Sequence, residues 1–200
     1  MVKLIYMKIE TKRFKLRDLV VSDATKEYLG WINLSKKNIL RASEVKNLSD
    51  LKNFIKKIKS KKDIDYDRHL IGLGKKNVEL LKKSYVKKEI KTIFLAIIDK
   101  KNNKHIGNIK YDPIDTANKF AIMGVLIGNP NYRGKKVFQE VFVKTSEYIF
   151  NKYKINNIYL GLKKNNLNAL SAYKKLGFKV HRSNQTCFFM SINLSNLFDN

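Results

Sequence analysis

Cysteine and histidine are scarce in this sequence of 200 residues, and their scarcity excludes two kinds of site. Cys187 is the single cysteine, so the chain forms no internal disulfide. The three histidines, His69, His105 and His181, are scattered and show no metal-ligand spacing. We therefore expect no metal site, and the cysteine usage fits a reducing cytoplasm.

Long apolar runs are missing as well. No run approaches the ~20 residues that a membrane-spanning helix needs. The stretch LIYMKIE near the start is too short and too interrupted for a signal peptide. The sequence therefore predicts a cytoplasmic protein without a membrane span.

Acidic residues are the third shortage. Seventeen acidic residues against 42 basic residues give a formal net charge of +25, which favours an anionic ligand, nucleic acid or an anionic membrane. However, only six of the basic residues are arginines, and lysine, asparagine and isoleucine are abundant nearly everywhere. AT-rich codon usage produces the same pattern, so the charge alone leaves both explanations open.

The remaining composition is that of a folded globule, with 44% hydrophobic and 11% aromatic residues. A chain of this length can bury a real core, and no internal repeat or linker divides it. We therefore expect one domain over residues 1–200, with an insertion at about 61–91.

Hydrophobic periodicity predicts the order of elements. Strands are expected at 9–19, 92–99, 105–113, 120–128, 156–163, 178–184 and 186–194. Helices are expected at 22–33, 48–60, 77–90, about 134–149 and 165–177. Short links make the three strands between 92 and 128 an antiparallel meander, whereas the helix that follows implies a parallel crossover. The predicted fold is a mixed, twisted α+β sheet.

The stretch NPNYRGKKVFQEV (129–141) has the outline of a phosphate-binding turn. If its helix begins near residue 134, the first backbone N–H groups point outward with the positive end of the helix dipole. Gly134 lets a diphosphate approach the main chain, and Arg133, Lys135 and Lys136 add positive charge. The competing interpretation is a plain helix start with solvated lysines.

A second stretch, NNLNALSAYKKLGF (165–178), places Asn166, Ala169 and Tyr173 at spacings of three and four, which predicts that they share one helix face. Ala169 leaves room beside the helix, Asn166 offers an amide, and Tyr173 carries a hydroxyl that can donate a proton. Taken alone, an amphipathic helix with a core tyrosine explains this pattern equally well.

Together the two stretches resemble the GNAT superfamily of acetyl-CoA-dependent N-acetyltransferases, over about residues 9 to 190. In that family the later helix reads Asn-x-x-Ala-x-x-x-Tyr, followed by x-x-x-Gly-Phe, and Asn166, Ala169, Tyr173, Gly177 and Phe178 complete this pattern. The stretches TKRFKLRDL, GWIN and HIGNI look like the branch that contains the ribosomal-protein N-terminal acetyltransferases and several amino-sugar acetyltransferases.

The turn departs from the family pattern, which is (Gln or Arg)-x-x-Gly-x-(Gly or Ala). The sequence NYRGKK keeps Gly134 but has Asn131 first and Lys136 last. A Lys136 side chain directed away from the diphosphate is compatible with coenzyme A, and its ammonium then reaches the phosphate. A side chain directed inward abolishes binding.

The resemblance implies a GNAT-like fold, in which a mostly antiparallel, twisted sheet has a V-shaped splay between two central parallel strands and helices on both faces. It also implies acetyl-CoA as the cosubstrate, with the pantetheine bonded to main-chain groups in the V. The implied acetyl-CoA-binding residues are Val125, Leu126, Ile127, Tyr132, Arg133, Gly134, Lys135, Lys136, Val137, Asn166, Ala169 and Tyr173.

For the chemistry, the resemblance assigns Tyr173 to donate a proton to the coenzyme A sulfur. No general base is evident, because FAIMGVLI contains no Glu, Asp or His. The remaining candidates are Asp112 or Asp115, expected after the strand that precedes it, or proton loss through water. Each aspartate is also explained as a turn residue. Trp31, Asp112 and Tyr85 are the expected acceptor contacts.

The acceptor is expected to be a small primary amine. An amino sugar, nucleotide-linked for surface-polysaccharide synthesis, suits a basic cleft because its diphosphate attracts lysines. A protein N-terminus or a ribosomal protein is the second candidate. An idle GNAT-like module that binds RNA belongs to another class, and nucleic acid is disfavoured because most aromatic residues have core spacing.

The expected insertion at 61–91 is predicted to lie beside the acceptor end of the cleft. Its Lys75, Lys76, Lys82 and Lys83 are then near the phosphates of an anionic acceptor, although a solvated basic insertion explains them too. The assembly is expected to be a monomer or a homodimer.

Overall fold

The computed structural model describes residues 8–35, 45–60 and 72–198. The strands are β1 (Lys8–Glu10), β2 (Phe14–Asp18), β3 (Ile90–Asp99), β4 (His105–Asp115), β5 (Phe120–Ile127), β6 (Asn157–Lys163), β7 (Lys179–Ser183) and β8 (Cys187–Asn193). The helices with both ends in these ranges are α1 (Lys26–Ser35), α2 (Leu48–Ser60), α3 (Lys75–Val86), α4 (Val137–Tyr153), α5 (Leu167–Lys175) and α6 (Ser195–Phe198).

The eight strands of the described ranges form one sheet in the order β1-β2-β3-β4-β5-β6-β8-β7. Every neighbouring pair is antiparallel except β5 and β6, which are parallel. The helix α4 connects these two strands as the crossover that a parallel pair requires. The predicted mixed α+β sheet is thereby confirmed.

Helices cover both faces of the sheet because successive side chains of a strand point to opposite faces. Phe94, Ala96 and Ile98 of β3 pack in one cluster with buried residues of α1 and α2. Leu95 and Ile97, between them, belong to the main core with buried residues of α4. The nearly continuous apolar sequence of β3 follows from this two-sided burial.

The helix α3 packs on the sheet through a third cluster, in which Val78 and Leu81 meet Ile90 and Phe120. This helix covers part of the expected insertion, while residues 61–71 lie outside the described ranges. The predicted helix over 77–90 was too long at its end, because Lys88 adopts a left-handed φ of 58° that no helix can continue through. Ile90 therefore begins β3.

Two other boundaries differ from expectation. The predicted first strand is a hairpin of β1 and β2, since Thr11 turns the chain with its N–H donating to the Phe14 carbonyl (2.8 Å). The strand β4 continues through Asp112 to Asp115, after a register shift between Tyr111 and Ile114. Both aspartates therefore lie within the strand and not in a turn after it.

Two further properties bear on the site. In the described part of the chain, no helix combines the length and apolarity needed to cross a membrane. Over the same residues, no group of three or more His, Cys, Asp or Glu side chains is placed to hold a metal ion.

Candidate active site

The central feature of the sheet is a splay between β5 and β6. The two strands pair only at their beginnings, from Phe120 opposite Asn157 to Ile122 opposite Tyr159. Beyond these residues each strand still pairs with the strand on its other side. β5 pairs with β4 up to Ile127, and β6 pairs with β8 throughout. The inner edges of β5 and β6 therefore diverge as a V.

The V opens into a cleft of about 1260 Å³. It is large enough for an extended cofactor-sized molecule. The predicted site residues that line this cleft are Asp112, Val125, Leu126, Ile127, Tyr132, Arg133, Gly134, Lys136, Val137, Asn166, Ala169 and Tyr173. Lys135, Trp31 and Tyr85 are not among its lining residues.

The turn after β5 has two residues in the left-handed region, Gly134 at φ 73° and Lys136 at φ 57°. The expected helix start near residue 134 is therefore wrong: α4 begins at Val137, because neither left-handed residue fits a right-handed helix. A Cβ added at Gly134 would have nothing within 4 Å of it. The space in front of Gly134 is thus open to a ligand.

The beginning of α4 carries unsatisfied donors. Lys136 makes no side-chain cap to the helix, and the backbone N–H groups of Val137, Phe138 and Gln139 have no acceptor in the described ranges. Such groups, with the positive end of the helix dipole, bind phosphate oxygens well. The turn has the donors and the room that a diphosphate requires.

Arg133 stabilises this turn internally. Its Nε donates to the Ile127 carbonyl and its terminal nitrogen donates to the Gly128 carbonyl, both at 3.0 Å. The side chain therefore holds the end of β5 against the turn. Tyr132 holds the turn against β3, because its hydroxyl donates a hydrogen bond to Asp99 at the end of that strand.

A contact that the sequence did not reveal fixes the turn from the other side. Glu140, in the first turn of α4, accepts hydrogen bonds from the Thr11 hydroxyl and the Arg13 N–H, both at 2.7 Å. Arg13 also donates to the Lys135 carbonyl at 2.9 Å. Burial acts to raise the pKa of Glu140, but the hydrogen bonds from Thr11 and Arg13 outweigh it and lower the pKa.

The helix α5 contributes the opposite wall of the cleft. Asn166 precedes the helix and caps it, with its side-chain oxygen accepting from the Ala169 N–H at 3.3 Å. Asn166 is therefore the N-cap of α5 and lies just before the helix, which begins at Leu167. Only Ala169 and Tyr173 of the predicted helix face are within the helix. Asn166, Ala169 and Tyr173 nevertheless all line the cleft.

Tyr173 is 8% exposed and packs edge-on against Phe138, with 5.1 Å between ring centroids. Burial raises the pKa of its hydroxyl well above the ordinary value. That hydroxyl has no hydrogen-bond partner within the described residues. A protonated phenol at the cleft wall is thus available to a ligand as a donor.

On the sheet face opposite α4, the side chains of Asp112 and Lys110 also line the cleft. Asp112 Oδ1 accepts from the Thr92 hydroxyl at 3.1 Å, and its Oδ2 lies 3.9 Å from Lys110 Nζ. Asp115 differs, because it is fully buried and accepts from Ser84 at 2.9 Å. Of the two aspartates, Asp112 is the one that faces the cleft.

Trp31 and Tyr85, the other two expected acceptor contacts, do not line the cleft. Trp31 is 4% exposed and packs against His105, with 5.2 Å between ring centroids. A Cβ on Gly128 would come within 2.2 Å of the indole, so the ring covers the end of β5. Tyr85 is partly buried and packs against the α3 cluster.

The exposed lysines of α3 are also separate from the cleft. Lys75, Lys76, Lys82 and Lys83 all lie on the solvent side of the helix and are not lining residues.

These features fit the acetyl-CoA that the sequence resemblance implies. The unpaired edge of β5 offers peptide groups to a pantetheine, which has peptide-like amides. The open space at Gly134 and the free N–H groups of α4 suit a diphosphate. The cleft therefore offers hydrogen-bonding groups for both the pantetheine and the diphosphate of acetyl-CoA.

Comparison with known proteins agrees with this geometry. The family model described as acetyltransferase (GNAT) domain matches residues 13–179. No curated protein is significantly similar in sequence. Among solved structures, a GNAT-family acetyltransferase from Bacillus anthracis has 17% identity and a TM-score of 0.65, over 94% of this chain and 98% of that chain.

Two other solved structures were determined with ligands. The microcin C7 self-immunity acetyltransferase MccE, in complex with acetyl-CoA and AMP, has 18% identity and a TM-score of 0.64, over 92% of this chain and 93% of its own. RimL, a ribosomal L7/L12 α-N-protein acetyltransferase in complex with coenzyme A, has 10% identity and a TM-score of 0.68, over 94% and 98%. At these identities the similarity demonstrates a shared fold.

Proposed function

This chain belongs to the GNAT acetyltransferase family and is an acyltransferase with acetyl-CoA as cosubstrate, and we propose that its acceptor is the primary amine of an amino sugar. The observation that carries the proposal is the V between β5 and β6, which leads from the turn at Gly134 to the charged side chains of β4. The amine attacks directly, without a covalent acyl-enzyme.

Binding and orientation fall to the main chain. The peptide groups of Val125, Leu126 and Ile127 would hold the pantetheine, and the turn from Tyr132 to Val137 would hold the diphosphate. Because Arg133 already bonds the Ile127 carbonyl, it sets the position of the strand end. Lys135 and Lys136 add positive charge around the phosphates, Lys136 from the cleft wall.

The bound thioester supplies an activated acetyl group. Tyr173 is proposed to donate its hydroxyl proton to the sulfur as the carbon–sulfur bond breaks, and to recover a proton from the nitrogen that has bonded to the carbonyl carbon. Its raised pKa keeps the hydroxyl protonated before the reaction. Asp112 is the proposed acceptor of the first proton from the substrate ammonium, with loss to water as the alternative.

An amino sugar linked to a nucleotide is the preferred acceptor because its diphosphate suits a basic cleft, whose lining includes Lys110, Lys136 and Lys175. The complex of MccE with acetyl-CoA and AMP supports this choice, since it contains a nucleotide together with acetyl-CoA in a protein of the same fold. A protein N-terminus is the second candidate, supported by RimL, which acts on ribosomal L7/L12. The reaction would take place in the cytoplasm, consistent with the single cysteine.

Two measurements test the proposal. Acetyl-CoA at 100 times its dissociation constant should add about 2.7 kcal/mol to the free energy of unfolding. A thiol-release screen against free and nucleotide-linked amino sugars, peptides and small amines should then give the highest kcat/KM with an amino sugar. Stabilisation without turnover of any amine, together with RNA binding, would favour the idle RNA-binding module instead.

A further inference from the structure

Two opposite charges lie side by side on the acceptor face of the cleft. Lys110 and Asp112 lie two positions apart on β4, and the Nζ atom of Lys110 is 3.9 Å from Oδ2 of Asp112. Their side chains are only 17% and 20% exposed, so both charges are largely removed from water. At 3.9 Å the pair is an ion pair beyond direct hydrogen-bond distance.

The surrounding contacts hold both groups in place. The Thr92 hydroxyl donates to Asp112 Oδ1 and leaves Oδ2 with the Lys110 ion pair in the described structure. The stem of Lys110 packs on Gly124, where an added Cβ would be 3.1 Å from Cε. Its ammonium lies 5.7 Å from the centroid of the Phe54 ring.

The location of the pair matters for the reaction. Gly124 lies two positions after Ile122, the last residue of β5 that pairs with β6. Lys110 and Asp112 therefore flank the point where the V begins. A molecule that approaches this point from the α1 and α2 side meets both charges.

We propose that Lys110 and Asp112 recognise the acceptor as a zwitterion, a primary amine with an anionic group only a few bonds away. This inference rests on the proposed acetyltransferase function. Asp112 Oδ2 binds the ammonium, and Lys110 binds the neighbouring carboxylate or phosphate through a charge-assisted hydrogen bond. An acceptor without the anionic group does not gain this charge-assisted hydrogen bond, which selects against it.

Matched pairs of amines test the proposal with the full chain. The pairs are glucosamine 6-phosphate with glucosamine, β-alanine with β-alaninamide, and O-phosphoethanolamine with ethanolamine. In at least one pair the anionic member should have a kcat/KM higher by about tenfold or more, the size expected for a hydrogen bond between charged groups. The pair with the largest ratio tells phosphate from carboxylate.

Substitutions assign the preference to its residue. Lys110→Met should reduce the ratio within the preferred pair to about one, because only the anionic member uses the ammonium. Lys104→Met makes the same charge change at an exposed position outside the cleft and should keep the wild-type ratio. Lys110→Gln replaces the Met variant if the latter does not fold.

Stabilisation by acetyl-CoA is measured in parallel, so that the two proposals fail separately. Equal kcat/KM within every pair, or a ratio that survives loss of Lys110, overturns the zwitterion inference while the acetyltransferase proposal stands. Turnover of none of the six amines by a chain that acetyl-CoA stabilises also overturns it. If acetyl-CoA does not stabilise the chain, both the zwitterion inference and the acetyltransferase proposal are overturned.

Discussion

Arg13 and Glu140 lie 127 positions apart in the chain, and their side chains form an ion pair with Nε 2.6 Å from Oε2. Arg13 belongs to the turn between β1 and β2, and Glu140 to the first turn of α4. Arg13 also binds the Lys135 carbonyl. The edge of the sheet therefore holds the turn at Gly134 and the start of α4 together.

Glu140→Gln should lower the free energy of unfolding by about 1–2 kcal/mol at pH 7, since it removes a charge that receives several hydrogen bonds. The folded-state pKa of Glu140 is lowered, so its contribution is present above the unfolded pKa, about 4.3, and is lost as pH falls through the folded pKa. Denaturant unfolding of both proteins from pH 7 to 3 measures this.

The control for that experiment is Glu147→Gln. Glu147 pairs with Lys144 on the exposed side of the same helix, where such pairs contribute little. An equal loss of stability in both variants, or a difference between wild type and Glu140→Gln that does not shrink at low pH, would contradict the prediction.

Gly134→Ala should weaken acetyl-CoA binding by about tenfold, since its Cβ enters the space where a charged phosphate would meet the main chain. The variant should also lose about 1 kcal/mol of stability because Gly134 has a left-handed φ of 73°. Gly177→Ala introduces similar strain at φ 93° outside the cleft. Calorimetry should find acetyl-CoA affinity reduced at position 134 and unchanged at 177.

Tyr173→Phe should lower kcat by about 10² to 10⁴ with little effect on acetyl-CoA affinity, because the proton is needed as the thiolate leaves. Tyr111→Phe is the contrasting variant. The Tyr111 hydroxyl is bonded to Thr145 at 2.8 Å in the core, so its loss should reduce stability and leave kcat near wild type. An undiminished kcat in Tyr173→Phe would make Tyr173 a core residue only.

Lys136→Gly should raise the free energy of unfolding by about 1 kcal/mol, because Lys136 holds a left-handed φ of 57° that glycine adopts without strain. Lys154→Gly, at φ 56° after the end of α4, should gain a similar amount. The two should differ in ligand binding. Only Lys136 lines the cleft, so only its loss should weaken acetyl-CoA binding, and less so at high salt.

The parts of the site that sequence predicts are those encoded locally. Gly134 and Tyr173 are each recognisable within a stretch of about a dozen residues, because a turn and a helix face depend on near neighbours. Glu140 was missed because its partners Thr11 and Arg13 come from the other end of the chain. No local pattern encodes a contact of that length.

The boundaries depended on backbone conformation that composition does not reveal. Lysine gives no sign of a left-handed φ, yet Lys88 ends α3 and Lys136 delays α4. Asp112 and Asp115 were both also explained as turn residues, but pairing with β3 and β5 resumes at Ile114. At the end of β4, pairing with the neighbouring strands decided the outcome over local preference.

The contact between Trp31 and Gly128 links two distant positions into one requirement. With the indole in place, any residue other than glycine at 128 would overlap the ring, and a smaller side chain at 31 would leave a cavity beside the end of β5. Neither position can change alone at low cost. Related chains are therefore expected to keep the large aromatic and the glycine together or to exchange both.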